Sequence, residues 1–225
     1  MNGGGIAWLV VLTVGPMLLL TLTSFVKISV VLSAVRNALG AQEMPSGLVV
    51  TAMAFVLTLF VMAPVALQIG TAMNADAPPA SSAAPPVMTP WMAAVPAEYR
   101  ATAGKLERAL EPLRTFLRTH SGTAELASFR ELASKGAAAA AAARSDELWV
   151  LAPAFVTSEL KAAFAIAVLL LLPFMLIDVL VAVGLGAVGL PGLTPQSVAL
   201  PLKLLLFVAV DGWRLLVEGL LRGYL

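Results

Sequence analysis

Glu159, Asp178 and Lys203 each carry a full charge inside an otherwise apolar stretch, and they are the residues whose chemistry needs explaining. A charge at membrane depth costs at least ~2.5–3.5 kcal/mol, so such residues are rare, usually paired, and tied to ion pathways or buried contacts. On a helix, neighbours lie three and four residues away. Those positions around Lys203 hold Ala199, Leu200, Leu206 and Phe207; around Glu159, Phe155, Val156, Ala162 and Ala163; around Asp178, Phe174, Met175, Val181 and Ala182. None is charged, so each ion needs a partner from another helix or another chain. Asp211 differs: Arg214 follows at i+3, Glu218 lies four beyond Arg214 and Arg222 four beyond Glu218, which predicts a ladder of alternating charge on one helix face. For the first three, three readings stay open. They are proton or substrate sites of a transporter, acids meeting Lys203 across a subunit interface, or solvated groups at a water boundary.

Other chemistries have no residues to support them. The chain contains no cysteine, so it has no disulfide, thiolate metal site or thiol nucleophile. His120, the only histidine, stands beside Ser121 and Gly122 without metal-ligand spacing, and reads as a surface or capping residue. The only Gly-Lys pair, in "AGKLER", lacks the upstream glycine and following Ser or Thr of a phosphate-cradling loop. With no HExxH or GxSxG motif either, no enzyme, cofactor or metal is expected.

The elements that must position these charges follow from composition. Hydrophobic residues make up 60% and charged residues 12%, with a mean hydropathy of +0.93, against about 25% charged residues in soluble domains. The chain is therefore membrane-associated. Net charge is +1 and no basic run interleaves with aromatics, so no nucleic acid is implied. The opening "MNGGGIAWLVVLTVGPMLLLTL" lacks a basic n-region and a small-x-small cleavage site, and reads as a retained apolar helix.

Charge is unevenly distributed. Residues 1–97 carry only Lys27, Arg36, Glu43 and Asp76, residues 98–147 carry fifteen charges, and residues 148–225 carry eight, so two apolar regions flank a polar insert. Residues 1–74 predict an apolar helical hairpin from the runs 6–35 and 44–75, each longer than the ~20 residues a span needs. Gly40 and Pro45 supply the turn, and Pro16 and Pro64 should kink the helices. Residues 75–97 contain six prolines and read as a linker. Residues 98–147 form a polar helical insert with one stripe at Leu106, Leu110, Leu113 and Leu117, interrupted at Pro112. A second stripe runs through Leu126, Phe129 and Leu132, and the alanines at 137–143 form a spacer. Residues 148–225 predict a second apolar hairpin. Thr157 or Ser158 is the expected N-cap with Glu159 in the first turn, "VGLGAVGLPGLTP" a bend or loop, and Pro195 the start of the next helix. The fold class is all-α.

Several stretches carry a more specific signal: "LTSFVKISVVLSAVRNALGAQEMPSGLVV", "LTLFVMAPV", "LEPLRTFLR", "LAPAFVTSELKAAF", "LLPFMLIDVLVA" and "LPLKLLLFVAVDGWRLLV". From about Leu22 to Val217, excepting the proline- and alanine-rich segments, the chain resembles the FliP/SctR family of type III secretion and flagellar export-apparatus proteins. The resemblance implies a pentameric helical ring, joined by other small hydrophobic export-apparatus subunits, that passes unfolded secreted proteins through a central pore of the bacterial inner membrane. It also implies that the assembled core projects to the extracytoplasmic side, as does the polar insert. The acid of the family's "SEL" motif pairs with the lysine of its "LPxKL" motif between neighbouring subunits, which maps to Glu159 and Lys203; Asp178 is left as a buried charge without an assigned partner.

One segment departs from the family. Members often carry a methionine cluster between the "ID" and "LPxK" motifs, a pliable gasket of unbranched thioethers. Leu190, Pro191 and Gly192 occupy those places here. The resemblance therefore implies a constriction of Leu185, Val188, Leu190, Pro191, Gly192 and Leu193, or a seal from a partner. The lack of a cleavable leader leans towards the injectisome branch. The rival expectation is a proton-coupled transporter using Glu159 and Asp178, against which the small number of spans and the lack of an internal repeat both count.

Overall fold

The computed structural model describes residues 13, 17, 20–40, 46–74, 100–135, 148–189 and 192–224. Among these every regular element is a helix, and the chain is all-α: α1 (Phe25–Leu39), α2 (Gly47–Asn74), α3 (Arg100–His120), α4 (Thr123–Lys135), α5 (Leu148–Val188), α6 (Pro195–Ala209) and α7 (Gly212–Arg222). The proline-rich linker, the alanine spacer and Pro16 lie outside the described residues. Two helices, α2 and α5, are long and apolar enough to cross a membrane.

The chain divides into two compact units, residues 1–61 with 154–225, and residues 62–153. The first is built around α1. Its Ile28, Val31, Leu32, Val35 and Leu39 recur at helical spacing and are at most 2% exposed, each contributing about 1.5–3 kcal/mol by leaving water. They pack in one cluster with Val50 and Ala54 of α2, Ala163 and Phe174 of α5, Phe207 of α6, and Leu216 and Leu220 of α7. Gly40 ends α1 at φ 74°, where its N–H donates to the Asn37 carbonyl at 3.1 Å. A residue with a Cβ is strained in that left-handed conformation, and glycine is not.

The boundary between α6 and α7 is a sharp corner. Asp211 sits at φ 51°, one of the few non-glycine types that tolerate this region, and Gly212 follows beneath the Phe207 ring. A Cβ on Gly212 would stand 2.4 Å from the ring carbons, so only glycine lets α7 fold back there. Trp213 then meets Phe207 edge-on, with centroids 5.2 Å apart.

In the second unit Val65, Ala109, Leu113, Phe116, Leu117, Leu126, Val150 and Leu151 are buried. Of the first predicted stripe, Leu113 and Leu117 are buried, Leu110 is half-buried and the Leu106 side chain lies outside the described set. In the second stripe only Leu126 is buried, while Leu132 at the end of α4 is 63% exposed. His120 closes α3, its Nδ1 2.9 Å from the Phe116 carbonyl in the last turn, where unpaired carbonyls collect.

Four local expectations are corrected. The apolar run 6–35 is not one helix, because turn and bend residues at Leu22–Ser24 precede α1. Pro112 does not interrupt α3, which continues through it. Thr157 and Ser158 are not N-caps, because α5 already starts at Leu148; the Ser158 hydroxyl instead donates to the Ala154 carbonyl at 2.8 Å. Gly184 and Gly186 lie inside α5, and Gly189 at φ 69° ends it, so the expected bend contracts to the segment before Pro195. Helix propensity is a weak prior, and two glycines within a 41-residue apolar helix do not outweigh it.

Candidate functional site

The isolated charges find partners inside the first unit, in two clusters. Glu159 projects from α5 towards α1, where Lys27 lies on the same side as the buried Ile28, Val31 and Val35 stripe. The Lys27 Nζ is 3.5 Å from Glu159 Oε1, with the side chains 9% and 4% exposed. The chain beyond α7 closes the pair: the Tyr224 hydroxyl donates to Glu159 Oε2, and the Lys27 ammonium sits 4.4 Å from the Tyr224 ring centroid. A Cβ on Gly223 would lie 3.3 Å from Lys27 Nζ, so the residue before the tyrosine has little room for a side chain. Burial first, and then the Glu159 carboxylate, push the Tyr224 phenol well above the ordinary tyrosine range.

The second cluster joins α5, α6 and the end of α1. Lys203 Nζ is 2.7 Å from Asp178 Oδ2 and donates to the Ala38 carbonyl at 3.0 Å. Ala38 is in the last turn of α1, where carbonyls lack helical donors and the helix dipole favours a cation. Lys203 thus caps α1 while pairing with Asp178. The cluster opens on a groove of about 1160 Å³, also lined by Arg36, Asn37, Thr194 and Gln196. The Arg36 Nε is buried there without an acceptor among the described residues.

Lys203 and Glu159 are not brought together within the single chain. Asp178, expected as a buried charge without a partner, is corrected on both points: its partner is Lys203, and its side chain is 47% exposed. The charge ladder is corrected at its first rung. Asp211 is the N-cap of α7 and acts on Arg214 through its charge, while the ion pairs run through Arg214, Glu218 and Arg222, with Arg214 Nε–Glu218 at 2.8 Å and Arg222–Glu218 at 3.5 Å. The hydrogen bond from Arg214 draws the exposed Glu218 carboxyl below its ordinary value. Of the expected constriction residues, Leu185 and Val188 fall on the last turns of α5. Gly192 and the half-exposed Leu193 precede α6, and Leu190 and Pro191 lie outside the described residues. Among the described residues no group of three acidic or histidine side chains can hold a metal ion.

Lys27 and Tyr224 are the site residues that sequence reasoning missed. Lys27 had the same signature as Lys203, a lone cation in an apolar run, and looking for acids without local partners would have offered it Glu159 or Asp178. Nothing in "LRGYL" marks the tyrosine.

Comparison with known proteins identifies the family. The FliP family profile matches residues 8–220. The chain is 39% identical to the hypersensitivity response secretion protein HrcR of Ralstonia nicotianae, over 93% of this chain and 91% of that one. It is 35% identical to Yop proteins translocation protein R of Yersinia pestis, covering 95% and 92%. It is 35% identical to the flagellar biosynthetic protein FliP of Bacillus subtilis, covering 96% and 89%. A profile spanning nearly the whole chain, with relatives matched almost end to end, places it: the chain belongs to the FliP family of type III secretion and flagellar export proteins.

Proposed function

We propose that this chain is a pore-forming subunit of a type III protein export gate, assembled as a ring in the bacterial inner membrane, that conducts unfolded proteins without catalysis. The observation that carries the proposal is the uncovered apolar surface of α5. Phe164, Val168, Leu172, Met175, Val179 and Val183 are all 56–66% exposed along one helix, far more apolar surface than a soluble monomer leaves in water. Lipid and neighbouring subunits are what such a surface requires, and family membership supplies the assembly. Other small hydrophobic export components are its partners, and the core projects to the extracytoplasmic side.

The lining of the pore is assigned to the end of α5 and the segment before α6, from Leu185 to Leu193, where small and apolar residue types stand in place of a methionine gasket. Between subunits Glu159 meets Lys203 of the next copy. Its test uses the absence of native cysteine. Glu159→Cys and Lys203→Cys together, oxidised in the native membrane, should give a ladder of covalent multimers on a non-reducing gel. Linkage confined to monomers, or none in a folded sample, overturns the inter-subunit contact. The transporter reading is weaker, because Glu159 and Asp178 each have a lysine partner within the chain.

A further inference from the structure

The geometry points to Tyr224 as a placeholder: in the single chain its hydroxyl occupies the Glu159 oxygen that the Lys203 ammonium of a second copy takes on assembly. This deepens the reading above and rests on its contact between Glu159 and Lys203. The two oxygens of the Glu159 carboxylate are held in different ways. Oε1 faces Lys27, whose residue is 7% exposed on the core face of α1. Withdrawing the acid from Lys27 would strand a buried ammonium, which is strongly unfavourable. Oε2 accepts only a neutral phenol, carried on the short segment beyond α7 after the exposed Gly223. Leaving costs the phenol its bond to the carboxylate and its ring's place beside the Lys27 ammonium, and an ammonium in its place offsets this with a stronger bond between two full charges.

The other half of the exchange is similarly asymmetric. Lys203 is held by Asp178, and that carboxylate is already 47% exposed, so losing the lysine returns it to water rather than burying it alone. Before assembly the pairs are Lys27 with Glu159, Tyr224 with Glu159, and Lys203 with Asp178. After it, Glu159 stands between Lys27 and the neighbour's Lys203, while Tyr224 and Asp178 turn to water. Each side gives up a partner that water can replace, Tyr224 on one and Asp178 on the other, together with the Lys203 bond to the Ala38 carbonyl. The single chain therefore keeps its assembly charges neutralised until a second copy displaces those partners.

Tyr99 and Tyr224 are the only tyrosines. In a Tyr99→Phe background, 3-fluorotyrosine incorporation gives one fluorine reporter, followed by NMR against pH in the dispersed chain and in the assembled complex. The phenol should titrate in the assembled complex and stay silent over the same range in the dispersed chain. Separately, Tyr224→Phe should raise the ratio of assembled to dispersed chain about ten- to a hundredfold, the worth of one hydrogen bond to a charged group lost only by the dispersed form. A phenol silent in both states, or a ratio that is unchanged or falls with Tyr224→Phe, overturns the placeholder. The fluorine measurement needs no substitution at Tyr224, so it holds if that variant fails to fold. If the Glu159→Cys and Lys203→Cys pair forms no link between copies, both the contact and the placeholder fall. If that link forms but the phenol behaves alike in both states, the placeholder alone falls.

Discussion

Lys27→Met in the dispersed chain separates the two ion pairs by their burial. The substitution keeps the length and apolar stem of the side chain but leaves the Glu159 carboxylate, 4% exposed, with only the Tyr224 hydroxyl for a partner. Removing one member of a buried pair costs ~3–5 kcal/mol, because the surviving charge is left unpaired. At ~2–4 °C per kcal/mol for a chain of this size, the melting temperature should fall by roughly 6–20 °C. Asp178→Asn leaves the Lys203 ammonium, 8% exposed, with only the Ala38 carbonyl, so it too should be costly. Lys203→Met is the contrasting change: the survivor is the Asp178 carboxylate, 47% exposed and able to hydrate, so the loss should be only about 1–2 kcal/mol. Combining Lys27→Met with Glu159→Gln removes the stranded charge and should recover most of the loss, since a neutral amide still accepts from Tyr224. Helical circular dichroism followed through thermal unfolding in detergent reads each of these variants. The reasoning is refuted if Lys203→Met destabilises as much as Lys27→Met, or if the double variant melts no higher than Lys27→Met alone.

Two glycine substitutions should differ sharply. Gly212→Ala drives a Cβ into the Phe207 ring at 2.4 Å and should cost about 1–3 kcal/mol in the same melt, whereas Gly47→Ala meets only the mobile end of Arg36 at 2.9 Å and should be tolerated. Asp211→Val places a β-branched residue at φ 51° and should destabilise the α6–α7 corner by about 1–2 kcal/mol, with Asp211→Gly neutral or better. The raised Tyr224 pKa sets a pH dependence. Its contribution is complete below the unfolded tyrosine value of 10.0 and is lost as pH rises above it, because the unfolded phenol ionises first. Tyrosinate absorbance should therefore show Tyr224 ionising together with loss of structure, and a Tyr224→Phe chain should lose that late phase; early, structure-preserving ionisation would contradict the assignment.

The all-α character and the long apolar α2 could be read from hydropathy alone, because uncharged runs such as 44–75 leave a chain few alternatives. So could the demand that Glu159 and Lys203 find distant partners, since the absence of an acid or base at three or four residues is a fact of spacing. Which partner each takes within the chain was not readable. Lys27–Glu159 spans 132 residues and Lys203–Asp178 spans 25, and no local rule ranks such pairings. The corner at Asp211 was hidden for a related reason: apolar sequence continues through it, and only the close packing of Gly212 on Phe207 requires the break. The helical continuation through Gly184, Gly186 and Pro112 shows that the cost of a single glycine or proline is small against the rest of a long helix.

The central claim, that the end of α5 and the segment before α6 line a pore for unfolded proteins, is tested most directly by photocrosslinking. A photoreactive residue is placed at Leu185, at Leu193, or at Leu132 on α4 as a control, in cells whose secretion is stalled by a substrate fused to a domain that cannot unfold. Leu185 and Leu193 should link to the stalled substrate and Leu132 should not. Equal linkage at Leu132, or no linkage at Leu185 and Leu193 while secretion is engaged, would contradict the account.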